Sequence, residues 1–255
     1  MNKNKRHTPQ SIPSPSGRAR EGLFLKVCGM KYQDNIQHVA ALQPHYLGFI
    51  FYEKSVRYFE ADNIPELAKG IKKTGVFVDA DLDFVIKKIK THQLQAVQLH
   101  GHESPEYCET LKTLCHSALD AESTKNKTDM KEVPAFAGMT EIIKVFSIRN
   151  AFDFDVLKPY EDVCDYFLFD TKGKLPGGNG YTFDWNVLNN YPSTKPFFLS
   201  GGIGINQIED LKKFQQSKAS KYCYAIDVNS KFEVKPGLKN IELLKEFKED
   251  LSFHA

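Results

Sequence analysis

The sequence predicts a single-domain α/β protein folded as a (β/α)8 TIM barrel. The chain of 255 residues contains eight short apolar runs, and segments with helical patterning lie between them. The runs are continuously apolar rather than alternating, as strands are when both faces of a parallel sheet are buried. Eight strand–helix units in about 230 residues are typical of this barrel.

Most predicted strands are four to seven residues long and rich in β-branched or aromatic side chains. They are LFLKVC (23–28), HYLGFIF (45–51), GVFV (75–78), QAVQL (95–99), EIIKVF (141–146), DYFLFD (165–170), PFFLS (196–200) and YCYAID (222–227). A doubly wound open sheet is the alternative, and it usually shows a GxGxxG turn after its first strand. Only Gly29 follows Cys28, so the sequence favours the barrel.

Helical patterns fill the intervals between the strands. Within 81–92, apolar residues recur at i, i+3, i+4 and i+7 from Leu82, which places them on one helix face. Ser104 followed by Pro105 is typical of a helix start. The predicted helices cover 33–43, 60–73, 81–92, 104–115, 150–158, 183–190, 205–215 and 238–249.

Two segments fall outside the repeating pattern. Residues 1–21 are predicted to be a disordered extension, followed by the barrel domain over 22–252. Residues 1–20 are basic and acid-free, as transit peptides are, but the prolines of this segment prevent an amphipathic helix. Residues 116–140 are polar, lack periodicity and exceed the usual helix-to-strand loop, which indicates an insertion. Residues 135–140 could instead extend the next strand. Both segments are predicted to be dispensable for chemistry.

Composition excludes several classes of protein. The net charge of +2 is too small to imply a nucleic-acid partner. No run approaches the roughly 18 apolar residues that a membrane span needs. The five cysteines are odd in number and form no CxxC pair, which argues against a disulfide framework and against a zinc site. This use of cysteine is typical of a reducing compartment, so we expect a cytoplasmic protein.

Functional residues of such barrels lie at the carboxyl ends of the strands and in the loops that follow them. Two of these loops are rich in glycine, which lets backbone N–H groups approach an anion closely. They predict a phosphate site after strands 6, 7 and 8. Its candidates are Gly177, Gly178, Gly180, Gly201 and Gly202, and the ends of strands 7 and 8 also carry Ser200, Asp227, Asn229 and Ser230.

Four further strand ends carry reactive or charged side chains. Cys28 is either a buried core thiol or a base, and Asp170 is either a helix cap or salt-bridge partner or an acid. Arg57 is either a solvated loop charge or a bidentate clamp for a carboxylate. His100 and Lys26 are secondary candidates, His100 for a structural or substrate-facing role and Lys26 as a charge beside Cys28.

Taken together, these residues resemble the phosphoribosylanthranilate isomerases. The matching stretches follow the family's order and span 23–250, apart from the insertion. They are LKVCGM (25–30), GFIFYEKSVRYF (48–59), GVFVD (75–79), AVQLHGHESPEYC (96–108), FDTKGKLPGGNGYTFDW (169–185), LSGGI (199–203) and IDVNSKFEVKPGLKN (226–240).

The resemblance implies an Amadori rearrangement of N-(5-phosphoribosyl)anthranilate to 1-(2-carboxyphenylamino)-1-deoxyribulose 5-phosphate. By motif, Cys28 matches the general base at ribose C2, and Asp170 matches the general acid that protonates the ring oxygen. Arg57 matches the contact to the anthranilate carboxylate, and the glycine loops with 227–230 match the phosphate end. No metal or organic cofactor is implied, and the only expected partner is the small-molecule substrate, bound by a monomer or homodimer.

This chemistry needs a thiolate and a protonated carboxyl at neutral pH, although the ordinary pKa values are about 8.5 and about 3.9. We expect Lys26 and the phosphate-site dipoles to favour the thiolate of Cys28. The apolar end of strand 6, at 167–169, should favour the protonated form of Asp170 by desolvation. Minor populations of either group are the alternative.

The sequence also departs from the family pattern in places. Val56 stands where proline is frequent, Lys231 where glycine is frequent, Phe232 replaces a smaller apolar residue and Asn240 an acidic one. Two other functions stay open at this point: a phosphosugar-binding barrel without catalysis, and an isomerase of a histidine-pathway aminoaldose. The latter is expected to carry aspartate in place of Cys28 and to show a two-fold repeat, and neither feature occurs here.

Overall fold

The structure is a computed structural model that describes residues 23–123, 140–171 and 182–252. A closed barrel of eight strands forms its centre, with neighbours in sequence order and all pairs parallel. The strands are β1 (Phe24–Val27), β2 (Tyr46–Ile50), β3 (Lys72–Phe77), β4 (Ala96–Leu99), β5 (Glu141–Ile148), β6 (Tyr166–Thr171), β7 (Phe197–Leu199) and β8 (Cys223–Val228). The predicted fold class and all eight predicted strands are confirmed.

Pairing of β1 with β8 closes the barrel and sets Lys26 opposite Asp227. The interior is filled by one cluster of apolar side chains, and a larger cluster lies between the strands and the outer helices. At the amino-terminal end of the strands, the Tyr46 hydroxyl donates to Glu141 at 3.0 Å, and Glu141 also pairs with Lys72. The opposite end stays open, which leaves room for a site there.

Helices surround the strands. The α-helices of the described residues are α1 (Gln33–Ala41), α2 (Leu82–His92), α3 (Pro105–Ser123), α4 (Ile208–Gln215) and α5 (Ile241–Ser252). Short 3₁₀ helices lie at Phe154–Tyr160, Trp185–Asn190, Ile205–Gln207, Ala219–Tyr222 and Ser230–Phe232. The predicted helices 150–158 and 183–190 are thus short 3₁₀ turns. Within the same ranges, no helix combines the length and the apolar character needed to cross a membrane.

The predicted helix 60–73 is wrong, because residues 60–71 contain neither helix nor strand. Pro65 lacks the N–H that a helix interior needs, and Gly70 has a φ of +101°, which no helix contains. The last two residues of the range already belong to β3, where they pair with β2.

The predicted helix 104–115 ends too early, because α3 continues through Ser123, into the range predicted to be an insertion. Residues 116–123 include alanine and leucine but no proline or glycine, so nothing stops the helix there. Ser104 caps its start as predicted, its hydroxyl accepting the N–H of Tyr107 at 3.3 Å. Residues 124–139 and the predicted extension 1–21 lie outside the described residues, and Thr140 precedes β5 without joining it.

The predicted helix 238–249 starts too early. An antiparallel hairpin of β9 (Glu233–Lys235) and β10 (Leu238–Lys239) comes first, and α5 follows at Ile241. Phe232, just before this hairpin, is fully buried and packs on Phe247 of α5 with ring centroids 4.9 Å apart. The family departure at Phe232 is therefore accommodated against the last helix, and the hairpin is held over the carboxyl ends of the strands.

Candidate active site

A solvent-open cavity lies at the carboxyl ends of the strands, the face that carries the active sites of such barrels. Nine predicted site residues line it: Cys28, His100, Asp170, Ser200, Gly201, Gly202, Asp227, Asn229 and Ser230. The rest of the lining is Ile50, Tyr52, Ser55, Val76, Val78, Gln98 and Ile203. The structure therefore brings the predicted reactive side chains and the predicted phosphate residues into one space.

A buried ion pair lies beside the thiol of Cys28. The Lys26 ammonium donates to the Asp227 carboxylate at 2.7 Å, and the Ser200 hydroxyl donates to the same carboxylate at 3.3 Å. Burial acts to lower the pKa of Lys26, but Asp227, with a smaller contribution from Cys28, outweighs it and raises that pKa above its usual value. Lys26 therefore stays protonated next to the thiol.

The surroundings of Cys28 do not favour its thiolate form. Burial raises the pKa of Cys28, and the nearby charges of Lys26 and Lys239 offset this rise only in part. The expectation for Lys26 is right in direction, but desolvation of the thiolate is the larger effect. Cys28 is thus a neutral thiol at pH 7, and only a minor ionised population is present to act as a base.

Asp170 lies in β6 with its carboxylate in two hydrogen bonds. One oxygen accepts the N–H of Thr171 at 2.8 Å, and the other lies 3.3 Å from Nε2 of His100. Burial acts to lower the pKa of His100, but the contact with Asp170 prevails and raises it. The contact with Asp170 therefore favours the protonated imidazole of His100 inside the cavity.

A second buried ion pair, between Lys144 and Glu103, fixes the loop after β4 that carries His100. The Lys144 ammonium donates to Glu103 at 2.9 Å and to the carbonyl of Gly101 at 2.8 Å. Glu103 in turn accepts the N–H groups of Gly101 and Asp79 at 3.0 Å. No motif in the sequence indicated this pair, because its two members belong to different strand–helix units.

The predicted phosphate end is formed by the loops after β7 and β8. Gly201 has a φ of +93°, and a β-carbon there would lie 2.5 Å from the backbone nitrogen of Thr171, so only glycine fits. This close approach brings the loop after β7 against the end of β6. Gly177, Gly178 and Gly180 lie outside the described residues, and their role stays a prediction.

Arg57 lies at the edge of the site, in the loop between β2 and β3, and does not line the cavity itself. It is held by Glu233 of β9, whose carboxylate accepts from Nε at 2.9 Å and from Nη2 at 2.7 Å. Lys239 of β10 donates to the same carboxylate at 2.8 Å. Neither Glu233 nor Lys239 was predicted as a site residue, although both fall within the stretch 226–240.

Two general features bear on what the site could hold. All five cysteines are free thiols. In the part of the chain that the structure describes, no three side chains of His, Cys, Asp or Glu are grouped so that they could bind a metal ion.

Comparison with known proteins identifies the family. A family model described as N-(5'phosphoribosyl)anthranilate (PRA) isomerase matches residues 25–135 and 126–250, which include all eight strands except the first residue of β1. The chain belongs to the phosphoribosylanthranilate isomerase family. The resemblance read from the motifs is thereby confirmed.

Members of this family from two bacteria match most of the chain. The N-(5'-phosphoribosyl)anthranilate isomerase of Parabacteroides distasonis is 39% identical over 230 residues, which are 88% of this chain and 91% of the relative. That of Phocaeicola vulgatus is 36% identical over 219 residues, 86% of this chain and 92% of the relative.

Solved structures of phosphoribosyl anthranilate isomerases have the same fold. The Thermotoga maritima protein superposes with a TM-score of 0.68 at 26% identity, over 91% of this chain and 99% of its own. The Thermus thermophilus protein gives a TM-score of 0.69 at 22% identity, with the same coverage, and so shares the fold.

Proposed function

We propose that the cavity is the active site at which this chain, like its family, isomerises N-(5'-phosphoribosyl)anthranilate, with Cys28 and Asp170 as its base and acid. The observation that carries the proposal is that both side chains line the same cavity, on strands separated only by β7 and β8. Opening a furanose requires an acid, and forming an enol from the resulting imine requires a base.

Asp170 is the proton donor in this scheme. Its carboxyl group gives a proton to the ring oxygen of the ribose, the bond from that oxygen to C1 breaks, and the anthranilate nitrogen forms a double bond to C1. His100, hydrogen-bonded to Asp170, carries the proton that the pair shares and can restore it after transfer.

Cys28 is the base in the next step. Its thiolate removes the proton from C2, the electron pair forms a C1–C2 double bond, and the nitrogen becomes neutral. The resulting enol then takes a proton at C1 and loses the proton of its C2 hydroxyl group, which forms the ketone, so the overall reaction is an isomerisation. Lys26, fixed by Asp227, stabilises the negative charge while the thiolate exists.

The remaining contacts bind the two ends of the substrate. Ser200, Gly201, Gly202, Asn229 and Ser230 face the cavity where glycine backbone can approach a phosphate, and Arg57 is assigned to the anthranilate carboxylate. We expect the protein to act in the cytoplasm as a monomer or homodimer, without a nucleic-acid partner. A solved structure 23% identical to this chain is of monomers generated from the dimeric isomerase of Thermotoga maritima, and sedimentation of this chain would distinguish the two states.

The test uses Cys28→Ser and Asp170→Asn. Single-turnover rates are followed by loss of substrate fluorescence, and affinity is measured for reduced 1-(o-carboxyphenylamino)-1-deoxyribulose 5-phosphate, which a family member 24% identical to this chain binds. Each variant should lose about 10²–10⁴-fold in rate and keep its affinity. Cys115→Ser, in α3 and outside the cavity lining, is the matched control and should react normally. A rate close to that of the wild type in either variant would remove that residue's role.

A further inference from the structure

The contact between Arg57 and Glu233 leaves part of the guanidinium unused. Glu233 engages the side of the group formed by Nε and Nη2, at 2.9 Å and 2.7 Å. A guanidinium has five N–H donors in a planar fork, so the end formed by Nη1 and Nη2 keeps a second pair of parallel donors. Such a pair matches the two oxygens of another carboxylate.

We propose that Glu233 is a positioning residue that fixes Arg57 by its side, so that its free end meets the carboxylate of the anthranilate ring. The inference rests on the proposed role of Arg57. It goes beyond that role because selectivity for the carboxylate then depends on a residue that does not touch the substrate.

Glu233 is itself held rigidly. Its carboxylate also accepts the N–H of Gly237 at 3.0 Å and the ammonium of Lys239 at 2.8 Å. The turn and the second strand of the β9–β10 hairpin therefore hold this side chain in place. Burial acts to raise the pKa of Glu233, but Arg57 and Lys239 outweigh burial and hold that pKa below its usual value. Glu233 is therefore ionised and can orient the guanidinium at neutral pH.

Among the described residues, the charges of this cluster do not balance without a ligand. Two cations, Arg57 and Lys239, share the single carboxylate of Glu233, and the other oxygens on Lys239 are the neutral carbonyl and amide of Asn229. The Lys239 ammonium is fully buried and the Arg57 side chain is only 13% exposed. Burying an unpaired charge is costly, so the cluster favours an incoming anion.

Packing against β1 fixes the position of Arg57 relative to Cys28. Gly29 follows the thiol directly and has a φ of +76°. A β-carbon on Gly29 would lie 2.8 Å from Cδ of Arg57 and 2.7 Å from Oδ1 of Asn229. The stem of the arginine thus rests on the backbone next to the base, while Glu233 sets the orientation of its head.

The test compares two ligands that differ only in the carboxylate. One is reduced 1-(o-carboxyphenylamino)-1-deoxyribulose 5-phosphate, and the other is the same compound with an unsubstituted phenyl ring. We expect the wild type to prefer the first by about ten- to hundredfold, as a charged bidentate contact does. Arg57→Ala should abolish the preference, and Glu233→Gln should reduce it nearly as far. Affinity for the second ligand should stay the same in all three proteins.

Two further variants keep the result unambiguous. Glu233→Asp preserves the buried charge and hence the fold, but its carboxylate is one methylene too short to engage both nitrogens, so the preference should still fall. Glu60→Gln removes an exposed ion pair with Lys31 and should behave as the wild type. If both ligands weaken equally in the Glu233 variants, the residue is merely structural and the inference fails. If Arg57→Ala keeps the full preference, the proposed role of Arg57 fails instead.

Discussion

Acid should destabilise this barrel through His92, the last residue of α2. Its side chain is 2% exposed, stacks on Phe51 with centroids 5.0 Å apart, and meets Phe59 edge to face at 6.0 Å. Within the described ranges, neither ring nitrogen has a hydrogen-bond partner. These two phenylalanines flank the loop that carries Arg57, so protonation of His92 should disturb the packing that holds this loop.

The magnitude follows from the pKa of His92. Burial, with the nearby ammonium groups of Lys88 and Lys73, lowers it from 6.5 to about 4, and Asp62 opposes this only weakly. The unfolded chain therefore binds a proton more readily than the folded one between these values. The stabilisation is complete above pH 6.5 and is lost as the pH falls towards 4. We expect a loss of about 2 kcal/mol in the free energy of unfolding between pH 7 and pH 5.

His92→Phe isolates this contribution. The variant has no titrating ring, and any packing cost of phenylalanine is the same at both pH values. Urea unfolding at pH 7 and pH 5 should show a free energy of unfolding that falls by about 2 kcal/mol less in the variant than in the wild type. His38→Gln, which replaces an exposed histidine in the last turn of α1, should retain the wild-type difference. Parallel pH dependences of His92→Phe and the wild type would refute the reasoning.

Three further outcomes can be measured. Gly201→Ala should lower affinity for the reduced product analogue and reduce stability, because its β-carbon meets Thr171; unchanged calorimetric titration and melting would contradict this. Asp227→Asn should cost about 3–5 kcal/mol in urea unfolding by leaving the buried Lys26 charge uncompensated, and a smaller cost would mean that the pair is not ionised. Because burial raises the pKa of Cys28, kcat/KM should still increase above pH 9, whereas a plateau below pH 8 would exclude this thiol as the base.

The strands could be predicted because a parallel strand buried on both faces leaves a continuous apolar run in the sequence. The first half of β3 could not, since Lys72, Lys73 and Thr74 are polar and are recognised as strand only by their pairing with β2. The pattern of residues 60–73 predicts a helix because this polar half of β3 is not recognisable as strand. Pro65 and Gly70 are local signals that should have argued against that helix.

The site could be predicted as far as it depends on strand ends. Cys28 and Asp170 are placed by the barrel topology, and the structure does bring them to one cavity. Glu233 could not be found in this way, because its partner Arg57 is 176 residues away and nothing local distinguishes this glutamate from a solvated one. The protonation state of Cys28 was also beyond the sequence, since it depends on how completely the thiol is buried.

The joining of β1 to β8 has a consequence for how the protein is made. Lys26 and Asp227 are 201 residues apart, so about 10–40 s of synthesis separate them at roughly 5–20 residues per second. During that interval the ribosome has synthesised Cys28 and Lys26, but neither the carboxylate that pairs with Lys26 nor the last strand that lines the cavity. The edge of β1 meanwhile remains unpaired and open to other strands. A nascent chain therefore has no complete site until β8 has been synthesised and has paired with β1.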